Sequence, residues 1–109
     1  MIEADLDGEK VQVVGFENHG GQTKNVSTPL GKVIAGHGNE YKSSFEGFYN
    51  GQVLGTYIHG PLFPKNPEIC DFVIRKALKR NYGDVSLKPL DDSLELKSKE
   101  VILKKLQLL

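Results

Sequence analysis

Three histidines, a single cysteine and fourteen carboxylates are the side chains that could move a proton, attack a carbonyl carbon or hold a metal. His59 stands out by position. It lies in Gly55-Thr56-Tyr57-Ile58-His59-Gly60-Pro61, where a run of β-formers over residues 53–58 meets a Gly-Pro pair that cannot extend a ladder. A strand is predicted to end at His59, on the rim where a sheet opens to solvent, and open α/β sheets carry their reactive groups there. Imidazole, with an unperturbed pKa of about 6.5, suits general acid–base chemistry near neutral pH.

The other candidates weigh less. His19 sits in Glu17-Asn18-His19-Gly20-Gly21-Gln22-Thr23, where paired glycines let backbone approach a ligand and short polar side chains offer directed hydrogen bonds. On spacing alone, a solvated loop accounts for that stretch better. His37 between two glycines is expected to be exposed and idle. Cys70 falls on the apolar face of a predicted helix, where a thiol behaves as a small buried hydrophobe, so it is expected in the core and not as a nucleophile. His19, His37 and His59 with Glu17 contain no i, i+4 pair and make a poor zinc signature, so no metal is expected. No cofactor is expected either.

The elements that must position these groups follow from turn chemistry and periodicity. Residues 1–6 and 11–16 alternate like strands about Asp7-Gly8, a strong hairpin signal. Residues 30–35 read as a short apolar strand, and residues 36–40 as a polar loop. A second hairpin is predicted from residues 45–49 and 52–58 about a tight Asn50-Gly51 turn. Glycines 47 and 55 inside it suggest a bulge or a close backbone neighbour.

A helix then starts with Asn66 as N-cap, Pro67 at its first position and Glu68 at the positive end of its dipole. Ile69, Cys70, Val73, Ile74, Ala77 and Leu78 share one predicted face with Phe72 at its border, and Gly83 is the stop. Residues 94–109 read as a last helix with a stripe of Leu94, Val101, Ile102, Leu106 and Leu109. Leu96, Leu103 and Leu108 fall outside that stripe and suggest contact with another chain or segment.

Composition narrows the function classes. Fourteen basic side chains balance fourteen acidic ones, so no global basic field invites nucleic acid. No apolar run approaches the roughly 20 residues of a membrane span, and the acidic, alternating start is unlike a secretory signal. One cysteine forms no internal disulfide. A cytoplasmic protein of one domain or part of one is expected.

Three blocks read together resemble one family: Gly15-Phe16-Glu17-Asn18-His19-Gly20-Gly21, Gly55-Thr56-Tyr57-Ile58-His59-Gly60-Pro61 and Pro64-Lys65-Asn66-Pro67. Their order resembles the C-terminal half of class I glutamine amidotransferases of the cobyric-acid-synthase-like (CobB/CobQ) branch, most of all the glutaminase subunits of lipid II isoglutaminyl synthases. The resemblance implies an α/β fold: the C-terminal part of a flavodoxin-like amidotransferase, β-hairpins followed by two helices, with residues 1–109 a partial domain. It implies that His59 is the catalytic histidine serving a cysteine nucleophile, and that Asn18, His19 and Gly20 help hold the glutamine substrate. Gln22 stands where relatives often carry arginine.

In that family the nucleophile lies on a strand-to-helix elbow well before the histidine, a position Cys70 does not match. The resemblance therefore implies a fragment, inactive alone, of a glutaminase that passes ammonia to a synthetase. Losing one member of a nucleophile–base unit costs on the order of 10⁴ to 10⁶ in rate. The partners implied are glutamine and a Mur-ligase-like synthetase subunit or the missing N-terminal half, with a homo-oligomer as a further possibility. The alternative is a non-catalytic interaction module that keeps the half-fold.

Overall fold

β1 (Ile2–Leu6) and β2 (Glu9–Val13) pair antiparallel with Leu6 opposite Glu9, so Asp7 and Gly8 alone make the turn. Their φ values of 55° and 94° supply the twist a two-residue hairpin needs. Asp5 reinforces the turn by accepting the Gly8 N–H at 2.7 Å. β4 (Gly31–Val33) adds on the other side of β1, and β5 (Phe45–Glu46) adds to β4, giving the antiparallel order β2-β1-β4-β5. The alternation delivers Ile2, Ala4, Leu6, Val11 and Val13 to buried positions. Each of the larger ones contributes roughly 1.5–3 kcal/mol by burial.

The computed structural model describes residues 1–106, in two compact units, residues 1–62 and the described residues from Phe63 onward. Together they make a small mixed α/β protein whose ladders, among the described residues, are all antiparallel.

The second hairpin departs from expectation. β6 (Phe48–Tyr49) pairs with β7 (Leu54–Gly55), with Tyr49 opposite Leu54, so the turn spans four residues instead of two. Asn50 is the cause: its side-chain carbonyl accepts the N–H groups of Gln52 at 3.0 Å and Val53 at 2.8 Å, an Asx turn that draws both into the loop. The run over residues 45–49 breaks at Gly47; its first half joins β4 and its second joins β7. The run over residues 52–58 also breaks, at Thr56-Tyr57. It resumes as β8 (Ile58–His59), which pairs with β3 (Phe16–Glu17).

In the second unit a single turn, α1 (Leu62–Lys65), leads from the boundary into α2 (Pro67–Tyr82). Pro67 opens α2, and Gly83 closes it by donating its N–H to the Lys79 carbonyl at 3.0 Å. Asn66 occupies the N-cap position, but its side chain makes no capping bond. The buried face is rotated from the predicted one. Phe72 is buried whereas Ile74 and Ala77 are exposed, and Cys70 is half-buried, not core. The aromatic ring carries more area to bury than any neighbour, so it takes the inward position.

In α3 (Ser93–Lys105) the predicted stripe faces outward: Leu94, Val101 and Leu106 are exposed and Ile102 is half-buried. Leu108 and Leu109 lie outside the described residues. The buried residues are Lys99 and Leu103. Lys99 Nζ lies 3.1 Å from both carboxylate oxygens of Glu68. That ion pair turns the Lys99 stem inward, and Leu103 follows at i+4 on the same face. Among the described residues no helix is long and apolar enough to cross a membrane.

Candidate functional site

β3 and β8 are only two residues each, and their pairing is what brings the two glycine-rich blocks together. Phe16 lies opposite His59, and Glu17 opposite Ile58. His59 is the last residue of β8 and is exposed, at a strand end as predicted. The chain leaves it through Gly60, whose φ of 99° belongs to the left-handed region. A Cβ at Gly60 would stand 2.4 Å from Phe16 Cδ2, so the largely exposed Phe16 ring covers this glycine. Any other residue there would strain the turn and displace the ring.

The loop after β3 folds back onto the residues just before β8. The half-buried His19 ring stacks on Tyr57, centroids 3.8 Å apart and planes 9° from parallel. His19 Nδ1 lies 2.5 Å from the Gly21 carbonyl oxygen. A carbonyl can only accept, so Nδ1 carries the proton and Nε2 is the basic nitrogen of the neutral ring. Thr23 Oγ1 and the Tyr57 hydroxyl are 2.6 Å apart, and the Thr23 N–H donates to the Asn39 carbonyl at 3.0 Å. Gln22 Oε1 accepts the Tyr41 N–H at 2.9 Å, a backbone-fastening use for the residue at that position. Asn18 and Gly20 are exposed in the same loop.

Two carboxylates hold this arrangement: Glu46, which sequence reasoning left aside, and Glu17, which it weighed only as a metal ligand. Glu46, fully buried, accepts the Tyr57 N–H at 2.5 Å and the Thr56 hydroxyl at 2.8 and 2.9 Å to its two oxygens. Thr56 Oγ1 in turn accepts the Ile58 N–H at 3.0 Å. These bonds replace the ladder at the break before β8. Burial pushes the Glu46 carboxyl above its ordinary value of 4.5, opposed by the bonds from Tyr57 and Thr56. Glu17 accepts the N–H groups of His37 at 2.8 Å and Gly38 at 3.0 Å, pinning the loop after β4. Buried Asn39 clasps Gly47 from both sides, donating to its carbonyl at 3.0 Å and accepting its N–H at 2.7 Å. A charged residue inside an apolar run and next to a glycine was the signal for Glu46.

Beside these groups lies a half-open cleft of about 170 Å³, lined by Thr23, Asn39, Gly47, Thr56 and Tyr57 among others. His37 is exposed and stacks on Tyr41, centroids 4.8 Å apart. Among the described residues no three of His, Cys, Asp and Glu gather into a metal-binding cluster. What the arrangement presents is an exposed imidazole at a strand end and a glycine-rich loop pinned to Tyr57, two residues upstream.

Comparison with known proteins finds relatives over most of the chain. The family model of the CobB/CobQ-like glutamine amidotransferase domain matches residues 1–67. The glutamine-hydrolysing lipid II isoglutaminyl synthase subunit GatD of Staphylococcus aureus is 41% identical over 103 residues, 94% of this chain and 41% of that protein. The subunit of the same name from Streptococcus pneumoniae is 39% identical over 83 residues, 73% of this chain and 32% of its own. A probable cobyric acid synthase of Methanocaldococcus jannaschii is 34% identical over 98 residues, 83% of this chain and 20% of its own. The chain thus spans about two fifths or less of the length of these relatives.

Proposed function

Because the chain belongs to the CobB/CobQ-like glutamine amidotransferase family, we propose that it is the acid–base part of a glutaminase, with His59 as its proton carrier. In this reading the His59 imidazole takes the proton of a cysteine thiol, and the thiolate attacks the amide carbon of glutamine. As the tetrahedral oxyanion collapses, the imidazolium gives that proton to the departing nitrogen, which leaves as ammonia. Water then hydrolyses the thioester, with His59 as base again, and glutamate and the free thiol are released.

The observation that carries the reading is the placement of His59. It is exposed at the end of β8, and two residues upstream Tyr57 grips the Asn18-His19-Gly20 loop. In the proposal that loop positions glutamine, with backbone groups and the His19 ring facing the substrate. The thiol is proposed to come from a segment outside these 109 residues, since Cys70 sits in the first turn of α2, as part of a helix and not on a strand-to-helix elbow. The chain on its own is accordingly proposed to be inactive.

We extend the proposal to fold and partners. The chain is the C-terminal part of a flavodoxin-like amidotransferase domain, and it acts with the N-terminal part and a Mur-ligase-like synthetase that consumes the ammonia. Self-association through the exposed sheet edges is the proposed behaviour of the chain without them.

The deciding experiment is glutamine hydrolysis by the full-length protein carrying His59→Ala. Ammonia release should fall by roughly 10³-fold or more. Hydrolysis at the parent rate would end the assignment.

A further inference from the structure

The proton transfers assigned to His59 make no use of Glu46, yet both halves of the site converge on this buried carboxylate. It is carried by β5, the end strand of the four-stranded sheet, and it faces the break between β7 and β8. At that break the Tyr57 N–H and the Thr56 O–H both point to it, and Thr56 passes the hold on by accepting the Ile58 N–H. Tyr57 then carries the His19 stack and the Thr23 hydroxyl contact.

We propose that Glu46 is a positioning residue: by fixing the Thr56-Tyr57 bend, its carboxylate sets the strand that ends at His59 and the glycine-rich loop carrying His19 at the same time. The proposal deepens the reading of His59 as acid–base group and rests on it.

The chemistry of the partners calls for an acceptor oxygen. A backbone N–H and a hydroxyl converge on one point, and both can be satisfied only by a group with several acceptor lone pairs. An apolar side chain there would leave the Tyr57 N–H unmet in a buried place, and the bend would lose the contact that replaces its ladder. Tyr57 would then be free to turn, and with it the ring on which His19 rests. No contact between Glu46 and substrate is needed.

The test uses Glu46→Ala and Glu46→Gln in the full-length protein, read by glutamine hydrolysis and by NMR of the histidine rings. In Glu46→Ala the ring signals of His19 and His59 should move while those of His37, held by Glu17 on another loop, stay in place. The rate constant kcat should fall roughly 10- to 100-fold, the range that a misplaced catalytic group costs, and KM for glutamine should rise. Glu46→Gln keeps an acceptor for the Tyr57 N–H and should restore most of both. If Glu46→Ala does not fold, Thr56→Val is read in the same way.

Unmoved His19 and His59 signals in a folded variant would overturn the proposal. Equal movement of all three histidines would do so too, as would a Gln variant as impaired as the Ala variant. His59→Ala run alongside separates the two ideas. If it leaves hydrolysis intact, the assignment of His59 fails, while the ring signals still decide whether Glu46 sets both segments.

Discussion

The imidazole of His19 lies flat on the phenol ring of Tyr57, at 3.8 Å between centroids. One ring belongs to the loop after β3 and the other to the connection between β7 and β8, so the contact ties together segments distant in sequence. The Tyr57 hydroxyl adds a second tie to Thr23 at 2.6 Å. A ring stack and a hydrogen bond each contribute about 0.5–1.5 kcal/mol. Tyr57→Phe, which keeps the stack, should therefore lower stability by about 1 kcal/mol, and Tyr57→Leu by about 2 kcal/mol. Urea titration checks this, and equal losses in the two variants would show that the stack contributes nothing.

The three histidines should separate by role in steady-state kinetics of the full-length protein. His59→Ala should remove most of kcat while leaving complex formation intact, because an exposed strand-end ring contributes chemistry more than packing. His19→Ala should chiefly raise KM, since the ring is part of the loop proposed to hold glutamine. His37→Ala should change either constant by less than about threefold. Similar losses at all three would point to unfolding or a shared metal, and the role given to His59 would be withdrawn.

Local chemistry was legible wherever it acts alone. Asp7-Gly8 specifies a two-residue turn through its own backbone preferences, and Pro67 and Gly83 bound α2 for the same reason. His59 at a strand end followed from Gly60-Pro61. What sequence could not reveal were choices made by partners far along the chain. Asn50 has a good primed-turn sequence, but its side chain captures two N–H groups and lengthens the loop. Lys99 looks like a solvent-facing lysine until Glu68, in another helix, draws it inward and rotates α3 with it. Glu46 is marked by its charge between Phe45 and Gly47, but its burial is set by Thr56 and Tyr57 farther along the chain. Periodicity reports which side chains prefer to be inside; it is silent when a buried ion pair outbids an apolar stripe.

Lys99 and Glu68 are unequal partners, and the inequality predicts an asymmetric response. The Lys99 side chain is 7% exposed and that of Glu68 38%. Removing the carboxylate strands a buried ammonium, whereas removing the ammonium leaves a carboxylate that water can reach. Glu68→Ala should cost on the order of 2–3 kcal/mol, slightly under the usual figure for breaking a buried pair. Lys99→Met, which keeps the apolar stem, should cost less than about 1 kcal/mol. Thermal melts of the two variants side by side give the answer, and a larger loss for Lys99→Met would reverse the argument.

Glu46 also gives stability a pH dependence whose sign is opposite to that of a paired surface carboxylate. Its native pKa is raised above the ordinary 4.5, chiefly by burial. Below the unfolded value both states hold the proton, and the group contributes nothing to the difference. As pH rises past that value the unfolded chain releases the proton while the native protein keeps it, so the native state loses ground until the raised native value is passed. Glutamine cannot ionise and escapes this loss. Exposed groups whose values are lowered, Asp5, Asp91 and Glu100, act the other way but are common to both proteins and cancel in a comparison. The melting temperature of Glu46→Gln minus that of the parent should therefore increase as pH rises past the ordinary carboxyl value of 4.5, and level off once the raised native value is passed. A difference that shrinks over this interval would mean that the donors on Thr56 and Tyr57 favour the anion by more than burial opposes it, and Glu46 would then be held as a charged anchor throughout the neutral range.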